Sequence, residues 1–98
     1  MRVVIVGPGG AGKSTFAKRL AAATGTEPTE IDKLFWQGGL RPLSVEEWEA
    51  LQEATFSGDA WIADGDLGPY DSIHVRLRRA GTVVMLDVSL WRCGAYAN

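Results

Sequence analysis

The sequence has little cysteine, no long apolar stretch and no run of one charge. Its single cysteine, Cys93, excludes an intramolecular disulfide and a cysteine-pair metal site, as is typical of proteins in a reducing compartment. The apolar run after Arg2 is too short for a signal peptide, and no stretch reaches the length of a membrane span. These absences predict a cytoplasmic protein without a membrane partner.

Charge is also sparse, with 10 Lys and Arg against 12 Asp and Glu and a formal net charge of -2. Nucleic-acid-binding surfaces are built from clustered Lys and Arg, and no such cluster is present. We therefore expect no direct nucleic-acid binding, and a bound anion would have to be held by local groups. The 98 residues suffice for one domain, residues 1–98, with a modest core.

Strand and helix patterns alternate along the chain. Predicted strands are the β-branched run at residues 2–6, a weak segment that ends at Asp32, residues 60–64, and residues 82–88. Predicted helices are residues 14–23, residues 44–56 after a capping box at Ser44 and Glu47, a short helix near residues 73–80, and a last one after Ser89. Residues 33–43 are expected to be irregular. This order predicts an α/β fold, with a parallel sheet covered by helices on both faces.

The short helix after the third strand has an amphipathic pattern. Ile73, Leu77 and Ala80 are expected to face the core, with Arg78 and Arg79 outward. Arg76 is expected at the margin between the two faces. From there it would contact a bound phosphate or remain a solvated charge.

The segment "VIVGPGGAGKST" matches two phosphate-binding patterns. Gly7, Gly9 and Gly12 fit the G-x-G-x-x-G of a dinucleotide turn, and Asp32 lies 20 residues beyond Gly12, where that fold places an acid for the ribose. Residues 7–14 also fit the G-x-x-x-x-G-K-S of a P-loop. A dinucleotide turn does not need a lysine followed by two hydroxyls, so Lys13, Ser14 and Thr15 favour the P-loop.

A P-loop binds phosphates through backbone N–H groups at the positive end of a helix. Lys13 would contact the β- and γ-phosphates, Ser14 would contribute a hydroxyl to Mg²⁺, and Thr15 would lie toward the α-phosphate. ATP and Mg²⁺ are the expected cofactors. The predicted nucleotide-binding residues are Gly7, Pro8, Gly9, Gly10, Ala11, Gly12, Lys13, Ser14 and Thr15.

Several other side chains are candidates for the same site. Asp64 and Asp87 both end apolar strands, and either would organise the Mg²⁺ shell; Asp64 is favoured. Asp32 would contact a phosphoryl acceptor or act only as a turn residue. Trp36 would stack on the acceptor or, as the commoner alternative, fill the core.

The P-loop and three later segments resemble the small adenylate-kinase-like P-loop proteins of bacteria, in particular those called DNA topology modulation proteins. The segments are "EIDKLFW", "EEWEALQEATFSGDAWIADGD" and "RLRRAGTVVMLDVSLWRC". The resemblance implies a three-layer P-loop NTPase fold with sheet order 2-3-1-4-5. It also implies kinase-type phosphoryl transfer from Mg-ATP to a small-molecule acceptor. Lys13 and Asp64 would be catalytic, Ser14 and Asp64 would hold Mg²⁺, and Asp32 and Arg76 would contact the acceptor.

This chain departs from the family pattern in two places. Relatives commonly read Asp-Gly-Asn-Tyr where this chain has Asp64-Gly65-Asp66-Leu67. Relatives also continue for about 70 to 80 residues by typical domain size, so we expect a C-terminal truncation without the fifth strand and the lid arginines. The fourth strand would then be an apolar edge prone to self-association. The alternative function is a nucleotide-binding regulatory module without turnover.

Overall fold

The computed structural model describes residues 1–7 and 12–86, in which parallel strands alternate with helices. The strands are β1 (Arg2–Val6), β2 (Pro28–Glu30), β3 (Trp61–Asp64) and β4 (Thr82–Met85). The helices are α1 (Lys13–Thr24), α2 (Ile31–Trp36), α3 (Val45–Thr55) and α4 (His74–Arg79), with a 3₁₀ turn at Gly68–Tyr70. The predicted last helix after Ser89 and the residue Cys93 lie outside the described residues.

The strands form one parallel sheet in the order β2-β3-β1-β4. In the register of the sheet, Val4 of β1 is paired with Ala63 of β3 on one side and Val83 of β4 on the other. The continuous apolar run of β1 suits this central position, because both faces of a parallel sheet are covered. The predicted α/β class and the strand order 2-3-1-4 are confirmed.

Helices cover both faces of the sheet, as predicted. One core cluster, which includes residues of α2 and α3, contains Val4, Ile31, Trp48, Phe56, Trp61 and Ala63. The other cluster, which includes α1, contains Val3, Ile5, Ala17 and Ile62. The alternation of side chains along β1 therefore sends successive residues into different clusters.

The helix α3 begins with the predicted capping box. The Ser44 hydroxyl accepts a hydrogen bond from the Glu47 N–H at 3.1 Å, and the Ser44 N–H donates to Glu47 Oε1 at 2.8 Å. Both bonds satisfy backbone or side-chain groups that have no partner inside the helix. The bounds of α3 agree with the prediction to within one residue at each end.

The prediction for residues 29–43 was partly wrong. The second strand ends at Glu30, and Asp32 lies in the first turn of α2 rather than at a strand tip. Ile31 is buried, and Leu34 and Phe35 pack against the same core cluster. Their i, i+3, i+4 spacing places these side chains on one face of a helix. The segment was expected to be irregular, but packing of this face against the core stabilises the helix.

The inward face of α4 was also predicted wrongly. Val75 and Arg76 are the buried residues of this helix, whereas Leu77 is exposed. Arg78 and Arg79 do point outward, and both pair with Glu53 of α3. The prediction treated Arg76 as a solvated charge. Its guanidinium is buried instead, because it pairs with a buried acidic side chain.

Across residues 1–7 and 12–86, no helix combines the length and the apolar character needed to cross a membrane.

Candidate functional site

The candidate site lies at the carboxyl edge of the sheet, between β1 and β3. Lys13 is the first residue of α1, and Asp64 is the last residue of β3. In a parallel sheet the carboxyl ends of neighbouring strands meet at one edge, which is where α/β proteins bind ligands. The fold thus brings together two side chains that are 51 positions apart in the printed sequence.

The Lys13 ammonium and the Asp64 carboxylate form an ion pair with a separation of 3.9 Å between Nζ and Oδ1. Their side chains are only 19% and 7% exposed. The distance is too long for a hydrogen bond, and Asp64 Oδ1 is buried without a hydrogen-bond partner among the described residues. Lys13 and Asp64, both predicted as site residues, therefore lie together, and Oδ1 of Asp64 can still accept a hydrogen bond or contact a cation.

Burial raises the pKa of the Asp64 carboxyl above its ordinary value. The positive charge of Lys13 opposes this shift, while the negative charges of Glu30 and Asp32 add to it. A buried carboxylate with an unsatisfied oxygen gains from any cation placed beside it, because the cation favours the charged form. The electrostatics of this edge therefore favour positive charge next to Asp64.

The start of α1 lies at the same edge. Gly12 caps the helix in the left-handed conformation, with φ of 82°, and no side chain caps the first turn. The first turn also has no acidic residue, and Ser14 and Thr15 are exposed. N–H groups and the positive end of the helix dipole at such a terminus favour an anion. The predicted binding residues Pro8, Gly9, Gly10 and Ala11 lie outside the described residues.

Gly7 has a packing role of its own. A Cβ at this position would lie 2.2 Å from the Leu86 carbonyl oxygen, because β1 and β4 come close together where Leu86 N–H donates to Val6 O. No side chain fits there without a backbone shift. The first glycine of the sequence pattern is thus required by the sheet itself, whatever the loop binds.

Gly65 lies directly beside the Lys13 ammonium. Its φ is +103°, and an added Cβ would lie 3.2 Å from Lys13 Nζ. Its N–H donates to Ile5 O at 2.8 Å, and its carbonyl accepts from Arg76 Nη2 at 3.3 Å. Gly65 is therefore held through its N–H on one side and its carbonyl on the other, and its positive φ favours glycine at this point.

The Arg76 side chain is fully buried, which corrects its expected place at the margin of α4. Nη1 donates to Gln52 Oε1 at 2.7 Å and to Asp71 Oδ1 at 3.1 Å, and Nη2 donates to Asp71 Oδ2 at 2.5 Å. A guanidinium held in this way has no exposed surface to offer an acceptor. The geometry favours an internal role for Arg76 over the predicted contact with substrate.

Asp71, the partner of Arg76, was missed by the sequence reasoning. Its carboxylate also accepts hydrogen bonds from Trp48 Nε1 at 2.9 Å and from the Leu67 N–H at 3.0 Å. These hydrogen bonds, with those from Arg76, hold the pKa of Asp71 below its ordinary value despite burial. Leu67 and Arg76 are only four and five positions from Asp71, but Asp71 lies in a loop and these spacings form no recognised pattern, and Trp48 is 23 positions away.

The predicted acceptor residues lie on the β2 side of the edge. Asp32 is exposed in α2, and its charge raises the pKa of Asp64. Trp36 is about half exposed rather than a core residue, and it packs edge-on against Phe35 with ring centroids 5.1 Å apart. A cavity of about 340 Å³ is lined by Phe35, Trp36, Pro42 and Leu67.

Within the part of the chain that the structure describes, no three His, Cys, Asp or Glu residues form a group that would hold a metal ion. The predicted Mg²⁺ site needs fewer protein ligands than that, since Mg²⁺ in nucleotide sites is held by one or two protein oxygens, phosphates and water. The alternative acid, Asp87, lies outside the described residues.

No protein-family model matches the chain, and no curated protein matches it significantly. The structure itself establishes an α/β fold with a parallel sheet of order 2-3-1-4. Within that fold, the site is defined by Lys13, Asp64 and the start of α1.

Proposed function

We propose that this chain binds Mg-ATP at the start of α1 as a P-loop protein of the adenylate-kinase-like class, whose full-length members transfer the γ-phosphoryl group to a small-molecule acceptor. The observation that carries the proposal is the pair formed by Lys13 and Asp64. A lysine at the first position of α1 lies 3.9 Å from a buried carboxylate, one oxygen of which has no hydrogen-bond partner among the described residues.

Each described residue has a distinct part in this function. The backbone at the start of α1 would bind phosphate oxygens, and Lys13 would neutralise charge on the β- and γ-phosphates. The exposed hydroxyl of Ser14 would bind the metal ion, and Thr15 would lie toward the α-phosphate. Transfer in such a site depends on positioning and charge neutralisation rather than on covalent chemistry of the protein.

The residues present fit a magnesium ion. Within the part of the chain that the structure describes, Asp64 Oδ1 is a buried oxygen without a hydrogen-bond partner, and it lies 3.9 Å from the ammonium of the first residue of α1. Asp64 would orient the water shell of the ion. When bound, Mg²⁺ supplies the positive charge that draws together the β- and γ-phosphate oxygens.

The direct test is the substitution Lys13→Ala, measured as Mg-ATP affinity by calorimetry. Losing a charge-assisted contact to phosphate is expected to weaken binding about 10- to 100-fold. Lys18→Ala is the matched control, since Lys18 is exposed on the same helix and one turn beyond the site. It should leave the affinity unchanged.

Unchanged Mg-ATP affinity in Lys13→Ala would disprove the phosphate-binding role. The dinucleotide alternative makes a different prediction, since it expects NAD rather than Mg-ATP to raise the melting temperature of the unmodified protein. Protection by NAD alone would therefore reject the P-loop assignment.

A nucleotide-binding module without turnover is the second candidate function. It is favoured by the burial of Arg76, since this arginine was expected to contact the acceptor and is instead bound to Asp71. The two candidates differ in product formation. ADP release from Mg-ATP with adenosine monophosphate as a probe acceptor, absent in Lys13→Ala, would support the enzyme. Tight Mg-ATP binding without ADP release would support the module.

A further inference from the structure

The buried ion pair of Arg76 and Asp71 adjoins the candidate site through one backbone group. Arg76 is fully buried, and its Nη2 donates both to Asp71 Oδ2 and to the Gly65 carbonyl. Asp71 in turn accepts from the Leu67 N–H, so the pair binds two points of the segment that follows β3. This segment starts directly after Asp64.

Gly65 transmits this restraint to the site. The Gly65 N–H, in the peptide group shared with Asp64, donates to Ile5 O of β1. The Gly65 carbonyl, in the next peptide group, accepts from Arg76, so that peptide group cannot rotate without breaking a hydrogen bond. The Cα of Gly65 lies close behind the Lys13 ammonium, since a Cβ built on it would be 3.2 Å from Nζ. A rotation of this peptide would therefore displace both the Lys13 ammonium and the adjoining Asp64 carboxylate.

We infer that Arg76 is a positioning residue of the nucleotide site, which acts through the Gly65 carbonyl to fix Lys13 against Asp64. This inference rests on the proposed Mg-ATP binding, and it gives Arg76 a role different from contact with an acceptor. Small displacements of positioned charges weaken ligand binding, because catalytic and phosphate-binding groups act only within a narrow range of distances and angles.

The test uses a variant without an unpaired buried charge. Arg76→Met alone would leave the Asp71 carboxylate buried without its partner, which strongly destabilises proteins. The double variant Arg76→Met, Asp71→Leu removes both charges and the donor to Gly65, and circular dichroism checks that it is folded. We expect its Mg-ATP affinity to be about 10-fold lower than that of the unmodified protein, as measured by calorimetry.

Trp48→Phe is the matched control. It removes the hydrogen bond from Trp48 Nε1 to Asp71 Oδ1 but leaves the contact between Arg76 and Gly65 in place. Its stability should fall, while its Mg-ATP affinity should stay within about 2-fold of the unmodified protein, since the Gly65 peptide keeps its partners. An equal loss of affinity in both variants would assign the effect to general destabilisation and overturn the inference.

Two further measurements separate positioning from a merely structural role. Adding Lys13→Ala to the double variant should cause a smaller loss of affinity than Lys13→Ala causes in the unmodified protein, since the effects of residues that act through one another are not additive. Hydrogen exchange of the Gly65 N–H should also accelerate in the double variant, while the Leu86 N–H, bonded to Val6 O in the same sheet, keeps its protection.

The outcomes distinguish the two proposals. Full additivity with Lys13→Ala, or unchanged Mg-ATP affinity in the folded double variant, overturns the positioning role while leaving the proposed function intact. An unmodified protein without Mg-ATP affinity overturns the proposed function, and the positioning role with it.

Discussion

Asp64 combines burial with negative charge at the end of β3. Its side chain is 7% exposed, and its nearest cation is the Lys13 ammonium at 3.9 Å. Burial raises the pKa of its carboxyl, Lys13 lowers it, and Glu30 and Asp32 raise it further. Without a ligand, the ionised form of Asp64 is therefore less favourable in the folded protein than in the unfolded chain.

The substitution Asp64→Asn should increase the free energy of unfolding at neutral pH by less than about 1 kcal/mol, because it removes a charge that burial disfavours but leaves a polar amide in the same place. A carboxyl with a raised folded-state pKa contributes stability at pH values below its unfolded pKa. That contribution is lost as the pH rises through the folded-state pKa. Urea unfolding between pH 4 and pH 7 should thus show a smaller decline with pH in Asp64→Asn.

The control for this substitution is Asp59→Asn at an exposed position. It should change neither the stability at pH 7 nor its pH dependence. Asp64→Asn should in addition weaken Mg-ATP binding, so a more stable protein would bind its nucleotide less well. A less stable Asp64→Asn protein at pH 7 would contradict this account of the carboxyl.

At the scale of elements, α3 connects a local sequence signal to the site. Its capping box at Ser44 and Glu47 fixes where the helix begins. The same helix carries Trp48 and Gln52, which bind Asp71 and Arg76. The start of α3 therefore helps to set the position of the buried ion pair beneath Gly65.

Ser44→Ala should lower the free energy of unfolding by about 1 kcal/mol, the usual cost of losing an N-cap side chain. Ser57→Ala provides the comparison, because the Ser57 hydroxyl donates to Ala54 O just past the other end of the helix and caps no N–H group. Its effect should stay within about 0.5 kcal/mol. Chemical denaturation of both variants checks the difference, and equal losses would contradict the importance of the capping box.

The features predicted from sequence are those set by neighbouring residues. The apolar run of β1, the capping box of α3 and the alternation of strands and helices are short-range patterns, and they sufficed for the fold class. The strand order was predicted only from the family resemblance. The helix α2 was missed because six residues are too few for its i, i+3, i+4 spacing to be a strong signal, and because its stability comes from packing against the core.

The buried position of Arg76 could not be predicted for a related reason. An arginine beside an apolar face is normally solvated, and only a partner such as Asp71, which precedes α4 in a loop, makes burial favourable. The pairing of Lys13 with Asp64 was predictable, since both residues adjoin strands whose carboxyl ends share one edge. The contact between Gly65 and Lys13 could not be predicted from the sequence and is seen only in the structure.

At the scale of the molecule, the sheet of the described residues has two outer strands, β2 and β4. β4 exposes Val83 and Met85, which are 48% and 74% exposed, whereas β2 is a strand of three residues. An outer strand with exposed apolar side chains offers unpaired N–H and carbonyl groups to a second chain. Self-association remains a prediction, and the position of β4 at the edge of the sheet identifies this strand as the expected interface.

Sedimentation velocity should show a mean mass that rises with protein concentration in the unmodified chain. Replacing Val83 and Met85 with lysine should shift the protein toward monomer, because charged side chains oppose the pairing of edge strands. Leu40→Lys is the control, since Leu40 is 99% exposed in a loop and not in a strand. If Leu40→Lys reduced association as much as the two lysines in β4, general surface hydrophobicity would explain the effect. A monomer at every concentration would remove β4 as an interface.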